Sequence, residues 1–264
     1  MPAPAHTARL PAIALMYHAI EGPCAPGEGS DPHYSVSAEA FAAQLDLLLQ
    51  HAGVVTCARE WFSGAVQARA VITFDDGHAS NHRVALPLLQ ERGLQADFFV
   101  NPGRVGEAGC ASWSDLAEMS AAGMSIQSHG WNHRYFTELA PAALREDLLR
   151  SRRTIEDRLG QPVTLLAPPG GRVPANLAAL ARECGYAHVL GSEPGRLDLR
   201  RAVQPRMAVT ASTSAQRIAG WLAGRGLARA QARYRTLALA KRMLGDGRYE
   251  RLRGRLLGQA GGGA

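Results

Sequence analysis

The feature that most constrains this chain is the alternation of short apolar runs with helix-length amphipathic segments over its first two hundred residues. Apolar runs at 12–17, 70–74, 97–100, 124–127, 163–166 and 187–190 predict strands. Between them, apolar residues at helical spacing predict helices over 37–50, 80–92, 112–122, 141–159 and 174–185. The first of these carries Phe41, Leu45, Leu48 and Leu49 on one face behind a Ser37 cap, with Glu39 in its first turn. Crossovers of that length join parallel strands, so the pattern specifies a mainly parallel sheet covered by helices. Six or seven such units favour a distorted (β/α) barrel over an open sheet, and place the chemistry at the carboxyl ends of the strands.

With 264 residues, 46% of them hydrophobic, the chain can bury a large core. No apolar run approaches the ~18 residues that cross a membrane, and the first thirty residues lack a basic start followed by an apolar run, so a soluble, cytoplasmic protein without an export signal is expected. Cys24, Cys57, Cys110 and Cys184 form no C-x-x-C pair, which argues against a thiolate metal site and for free thiols. The net charge of +6 is unevenly spread: residues 1–210 hold 18 arginines against 21 acidic residues, net −3, and residues 211–264 hold 11 basic against 2 acidic, net +9. A barrel domain over 1–210 and a basic helical extension with a Gly-rich end over 211–264 are therefore expected.

Three strand ends stand out: TFDDG at 73–77, SHGWNH at 128–133 and APPGG at 167–171. Singly, each has an ordinary reading, because adjacent aspartates before a glycine commonly make a turn and two histidines four apart are commonly solvated. Together they offer a carboxylate and two imidazoles, a three-ligand set for one divalent ion with positions left for water and a substrate oxygen. If Asp76, His129 and His133 bind the ion, Asp75 remains beside them as a carboxylate able to take a proton from water.

These motifs resemble those of the polysaccharide deacetylases of carbohydrate esterase family four. The family's T-F-D-D-G is unaltered at 73–77, and its H-S/T-x-x-H is matched at His129 and His133 with Gly130 in the Ser/Thr place. The resemblance implies Asp75 as general base and Asp76, His129 and His133 as metal ligands. The third motif, R-x-P-Y-G, is half kept, with Ala167 for the arginine, Pro169 for the proline, Gly170 for the aromatic and Gly171 for the glycine. The Gly170 N–H would bind the oxyanion, and the missing arginine needs another owner. The late L-x-H motif is absent too; His188 lies inside a strand and reads as structural. Tyr17-His18 resembles the exopolysaccharide-processing branch, whose motif order is permuted, and implies His18 as general acid. QPRMAV resembles that branch's late segment, with Arg206 orienting Asp75. The resemblance spans roughly residues 11–210.

It implies hydrolysis of an N-acetyl group on an amino sugar of a polysaccharide, oligosaccharide or lipid-linked glycan, with zinc as the first choice of ion and cobalt, nickel or iron acceptable to the same ligands. The rival is a carbohydrate-binding protein that has kept the fold and lost turnover. No nucleic-acid partner is expected, since the basic tail interleaves only Trp221, Tyr234 and Tyr249. In that tail Tyr234, Leu237, Leu244, Tyr249, Leu252 and Leu256 follow helical spacing among Arg233, Arg235, Lys241, Arg242, Arg248, Arg251, Arg253 and Arg255. Such a helix would sit on an anionic membrane, at its inner face, or pack on the barrel or a partner protein.

Overall fold

A computed structural model of the chain describes residues 11–21 and 30–244, with side chains through 237. In chain order the elements are β1 (Ile13–Tyr17), β2 (Ala19–Glu21), β3 (Ser35–Ser37), α1 (Ala38–Ala52), β4 (Val55–Thr56), α2 (Ala58–Ser63), β5 (Ala70–Phe74), α3 (Leu86–Gln90), β6 (Asp97–Val100), α4 (Trp113–Ala121), β7 (Ser125–Ser128), α5 (Pro141–Leu159), β8 (Leu165–Leu166), α6 (Leu177–Glu183), β9 (His188–Leu190), β10 (Val203–Gln204), β11 (Met207–Ala208), α7 (Ala215–Leu222) and α8 (Leu227–Leu244).

The large sheet runs β10-β9-β8-β7-β6-β5-β1-β11, with β4 also beside β5, and every pairing in it is parallel. Its two outer strands, β10 and β11, are halves of one segment, 203–208, so the sheet curls round until one piece of chain carries both ends. This is the expected distorted (β/α) barrel. Fully buried five-residue strands such as IALMY in β1 and AVITF in β5 fit a sheet covered on both faces. Phe74 stacks on Phe98 at 4.7 Å and on Tyr17 at 5.3 Å. The buried Tyr17 hydroxyl donates to Gln44 of α1 at 2.9 Å, and the Gln44 amide donates to the Thr213 carbonyl at 2.8 Å, so the polar atoms inside this packing are paired.

Where the elements differ from the pattern, the cause is local. The helix expected over 80–92 is a π-turn, Asn81–Ala85, followed by α3. Pro87 has no N–H to donate to the fourth residue back, so the α register cannot run through unbroken. β8 is shorter than 163–166 because the Gln127 side chain accepts from the Thr164 and Leu165 amides at 3.0 and 2.8 Å. β2, β3, β4, α2, β10 and β11, each of two to six residues, go unannounced by periodicity. The Ser37 cap is present, its hydroxyl accepting from Ala40 N at 3.2 Å.

The compact unit extends past residue 210. Ile218, Trp221 and Leu222 of α7 are buried, α7 lies against α1, and the chain divides after Gly224. In the second unit, taken by itself, α8 exposes Arg229, Arg233 and Arg235 as well as Leu237. The stripe expected through Tyr249, Leu252 and Leu256, with its arginines, lies outside the described residues, as does Cys24. Cys57, Cys110 and Cys184 are free thiols. No helix among the described residues is long and apolar enough to cross a membrane.

Candidate active site

The ladder between β1 and β5 continues one bond beyond Phe74, the Asp75 N–H donating to the Tyr17 carbonyl at 2.9 Å. Asp76 then turns the chain at φ +74°. Consecutive strand residues point to opposite faces, and this left-handed turn cancels the alternation, bringing both carboxylates toward His129. Asp76 Oδ1 lies 3.2 Å from His129 Nε2 and 3.0 Å from His133 Nε2. His133 also has a left-handed φ, +57°, so two of these three residues hold backbone conformations that L side chains rarely adopt. One ligand atom from each of the three falls within 4.8 Å of the others, the arrangement a single ion requires.

The electrostatics suit a cation. Burial works against the charge on Asp76, yet hydrogen bonds from His129 and His133 hold its carboxyl well below the usual range. Burial would lower His129, but Asp75 and Asp76 outweigh it and raise the imidazole. His129 Nδ1 sits 2.8 Å from the Ala167 carbonyl, which can only accept; Nδ1 therefore carries a hydrogen and Nε2 is the atom offered to the ion. A bound cation displaces the second proton. A carboxylate and two imidazoles fit a divalent transition ion.

The loop over residues 128–133 is fastened from several sides. His129 N donates to Val100 O at 2.8 Å, and the Asn101 amide donates to the carbonyls of His129 and Gly130 at 2.6 and 3.2 Å. From α5, Asp147 accepts from Trp131 N at 2.9 Å and Ser151 donates to Gly130 O at 3.1 Å. Gly130 has φ +76°, and a Cβ there would come within 2.8 Å of Phe136 and 3.0 Å of Asp147, so the family's Ser/Thr has no room. Ser128 Oγ, two residues earlier, accepts from Gly130 N at 3.2 Å.

Asp75 is 3% exposed and forms a two-pronged pair with Arg206, each guanidinium nitrogen 2.7 Å from one carboxylate oxygen. Arg206, itself 1% exposed, also donates to Thr73 Oγ1 at 3.2 Å and to Gly191 O at 2.8 Å. It comes from the junction of β10 and β11, and not from the Ala167 position after β8, where the family keeps its arginine. Burial alone would raise Asp75; Arg206, then His129, reverse this and lower it. Gly170 is exposed at the end of β8 with φ +61°, and a Cβ there would meet the Tyr135 ring at 2.6 Å. Tyr135, under the Arg172 guanidinium at 4.1 Å, thus fills part of the space the missing aromatic leaves.

His18 follows β1 directly, its ring 4.5 Å from that of Tyr34 and its Nδ1 buried without a hydrogen-bond partner. Burial lowers its pKa, against the pull of Asp76 and Asp75, which identifies both as neighbours. His188, expected inside a strand, opens β9 at its amino end, away from the carboxyl ends, and stacks on Phe62 at 3.9 Å. The structure thus gathers Asp75, Asp76, His129, His133, Arg206 and His18 at one end of the ring. Sequence reasoning missed Asn81, Asn101, Asp147, Ser151 and Tyr135; Asn81, four residues past TFDDG, and Tyr135, two past SHGWNH, had a motif nearby to draw notice.

Residues 65–189 match the family model described as polysaccharide deacetylase. His18 and Arg206 lie outside that stretch. A peptidoglycan-N-acetylglucosamine deacetylase of Bacillus cereus is 32% identical over 122 residues, 46% of this chain and 55% of that one. A chitin deacetylase of a Pestalotiopsis species is 29% identical over 127 residues, 48% of this chain and 42% of that one. The chain spans about half the length of the curated relatives it matches. Among solved structures, IcaB from Ammonifex degensii superposes with a TM-score of 0.66 at 26% identity, covering 80% of this chain and 97% of that one. The Streptococcus pyogenes deacetylase PplD reaches 0.72 at 22% identity over 80% and 97%, a likeness of fold.

Proposed function

We propose that this chain, whose residues 65–189 match the polysaccharide deacetylase family model, is a metal-dependent hydrolase that removes N-acetyl groups from amino sugars of a glycan. The observation that carries the reading is the division of labour between adjacent carboxylates: Asp76 faces two imidazoles and Asp75 faces one guanidinium. A non-catalytic binder would have no use for the second. Asp76, His129 and His133 would hold the ion, zinc by preference. Bound there, a divalent ion supplies Lewis acidity toward an acetyl carbonyl and water.

The chain's own groups supply the rest. Arg206 keeps Asp75 ionised and aimed, so that its carboxylate takes a proton from the attacking water. The Gly170 N–H donates to the oxyanion as the carbonyl becomes tetrahedral. His18 donates a proton to the nitrogen as the C–N bond breaks, giving acetate and a free amine. We also propose that the extension past Gly224, with 10 basic against 2 acidic residues over 225–264, net +8, brings the enzyme to an anionic membrane at its cytoplasmic face, where a lipid-linked glycan would be met.

The test is metal content measured beside acetate release from N-acetylated glycans. The expected result is about one divalent ion per chain, amide turnover that chelation abolishes and zinc restores, and loss of both in His129→Ala and His133→Ala. Full metal content and turnover in both variants would overturn the reading; metal uptake without acetate release from any glycan would favour the binder.

A further inference from the structure

Asn81 and Asn101 are 1% and 2% exposed, and each spends its side-chain amide on the carbonyl of a histidine-bearing segment. Asn81 Nδ2 donates to His18 O at 2.7 Å, and Asn101 Nδ2 donates to His129 O at 2.6 Å. A carbonyl cannot donate, so the orientation of both carboxamides is fixed. The consequence is that Oδ1 of each is buried with no partner. A buried unpaired acceptor is unfavourable and offsets part of what each amide gains by donating, so stability is a weak reason for an amide at either position.

Both residues lie beyond the carboxyl ends of adjacent strands, β5 and β6. Asn101 follows β6 directly and holds the loop that carries His129. Asn81 opens the π-turn behind TFDDG, and its neighbour Ser80 accepts from Ile20 N at 3.0 Å while bonded to His78 Nδ1 at 2.8 Å. Residues 80 and 81 therefore hold the chain at two points just past the His18 side chain, the carbonyl of residue 18 and the amide of residue 20. Such insertions in helices recur at functional sites.

We propose that Asn81 and Asn101 are positioning residues, Asn81 setting His18 for proton donation to the departing amine and Asn101 setting His129 as a ligand. The proposal rests on the function argued above, and leaving-group and metal readouts separate its two halves. The variants Asn81→Ala, Asn101→Ala and His18→Ala are compared with the wild type on an N-acetylglucosamine oligomer and on 4-nitrophenyl acetate, whose leaving group needs no proton. Zinc affinity is measured by competition with a chromophoric chelator.

Asn81→Ala is expected to lose roughly 10–100-fold on the amide while keeping ester hydrolysis and zinc affinity, as His18→Ala does more strongly. Asn101→Ala is expected to bind zinc about 10–100-fold more weakly, both reactions recovering at saturating zinc. If His18→Ala is amide-selective and Asn81→Ala loses equally on both substrates, the Asn81 assignment falls alone. If His18→Ala is not amide-selective, or the wild type turns over no amide, the acid assignment falls and takes Asn81 with it. Wild-type zinc affinity in Asn101→Ala overturns the other half. Where an alanine variant does not fold by circular dichroism, the leucine variant at the same position, close to asparagine in shape and without a donor, is read against the same outcomes.

Discussion

Asp75 and Asp97 are buried on neighbouring strands of one sheet, one just past the carboxyl end of β5 and the other at the amino end of β6, and their carboxyls are driven in opposite directions. Asp75, just past the end of β5, meets the Arg206 fork and is lowered. Asp97, the first residue of β6, meets no such fork. It accepts from the Ala58 amide and, at 3.3 Å, from the Arg59 amide, and burial pushes it up to about 6. Those amides begin α2, whose own N-cap residue, Cys57, offers no side-chain hydrogen bond. Asp97 is thus a helix cap delivered from another strand. One residue type serves as cap at the amino ends of the strands and as ionised base at the carboxyl ends, and the partner each finds makes the difference. For Asp75 the partner has a chemical consequence: Arg206 secures charge and aim while weakening basicity.

The contrast is open to attack from each side. The largest effect belongs to Arg206→Met, which leaves Asp75 buried without its counter-ion. Removing one member of a buried pair costs about 3–5 kcal/mol, so a clear fall in Tm and loss of amide turnover are expected, with Arg206→Lys recovering part of both. An unchanged Tm in Arg206→Met would show that the pair does not hold Asp75.

A smaller effect is expected at the other end. Because Asp97 is raised in the folded protein from 3.8 to about 6, the folded state keeps a proton that the unfolded state releases between those values. This contribution is fully present below about pH 4 and is lost as pH rises through about 6, up to about 3 kcal/mol in all. Asn cannot titrate, so the stability of Asp97→Asn relative to wild type should improve as pH rises from 4 to 7, read from urea midpoints across that range. A difference that stays constant with pH would remove the contrast.

The smallest effect concerns the extension. Each well-placed cation contributes ~1 kcal/mol at an anionic leaflet, so the intact chain should co-sediment with anionic vesicles at low salt and leave them at high salt. A chain ending after Gly224, where the compact unit divides, should not bind. Equal and negligible binding of both would end the membrane proposal.

What the sequence revealed follows from how local each signal is. TFDDG and the two histidines four apart are contiguous patterns whose chemistry can be read on a line, and long periodic segments such as α1 and α5 declare themselves. Arg206 is different. It lies 131 residues from Asp75, in a two-residue gap between two-residue strands, and only the pairing of β11 on β1 and of β1 on β5 brings the two together. The resemblance suggested the partnership; spacing alone could not. Asp97 was legible as the start of a strand, while its role as cap for α2, 38 to 39 residues earlier, was not. Asn81 was hidden because a five-residue π-turn is too short to show a periodicity of its own within the helix expected there.

The most direct test is Asp75→Asn, assayed for bound metal and for acetate release on the same preparation. An amide keeps the shape and cannot take a proton from water, so the variant should hold about one divalent ion per chain while turnover falls by about 10²-fold or more. Turnover near the wild-type rate with the ion in place would contradict the assignment of Asp75 as the base.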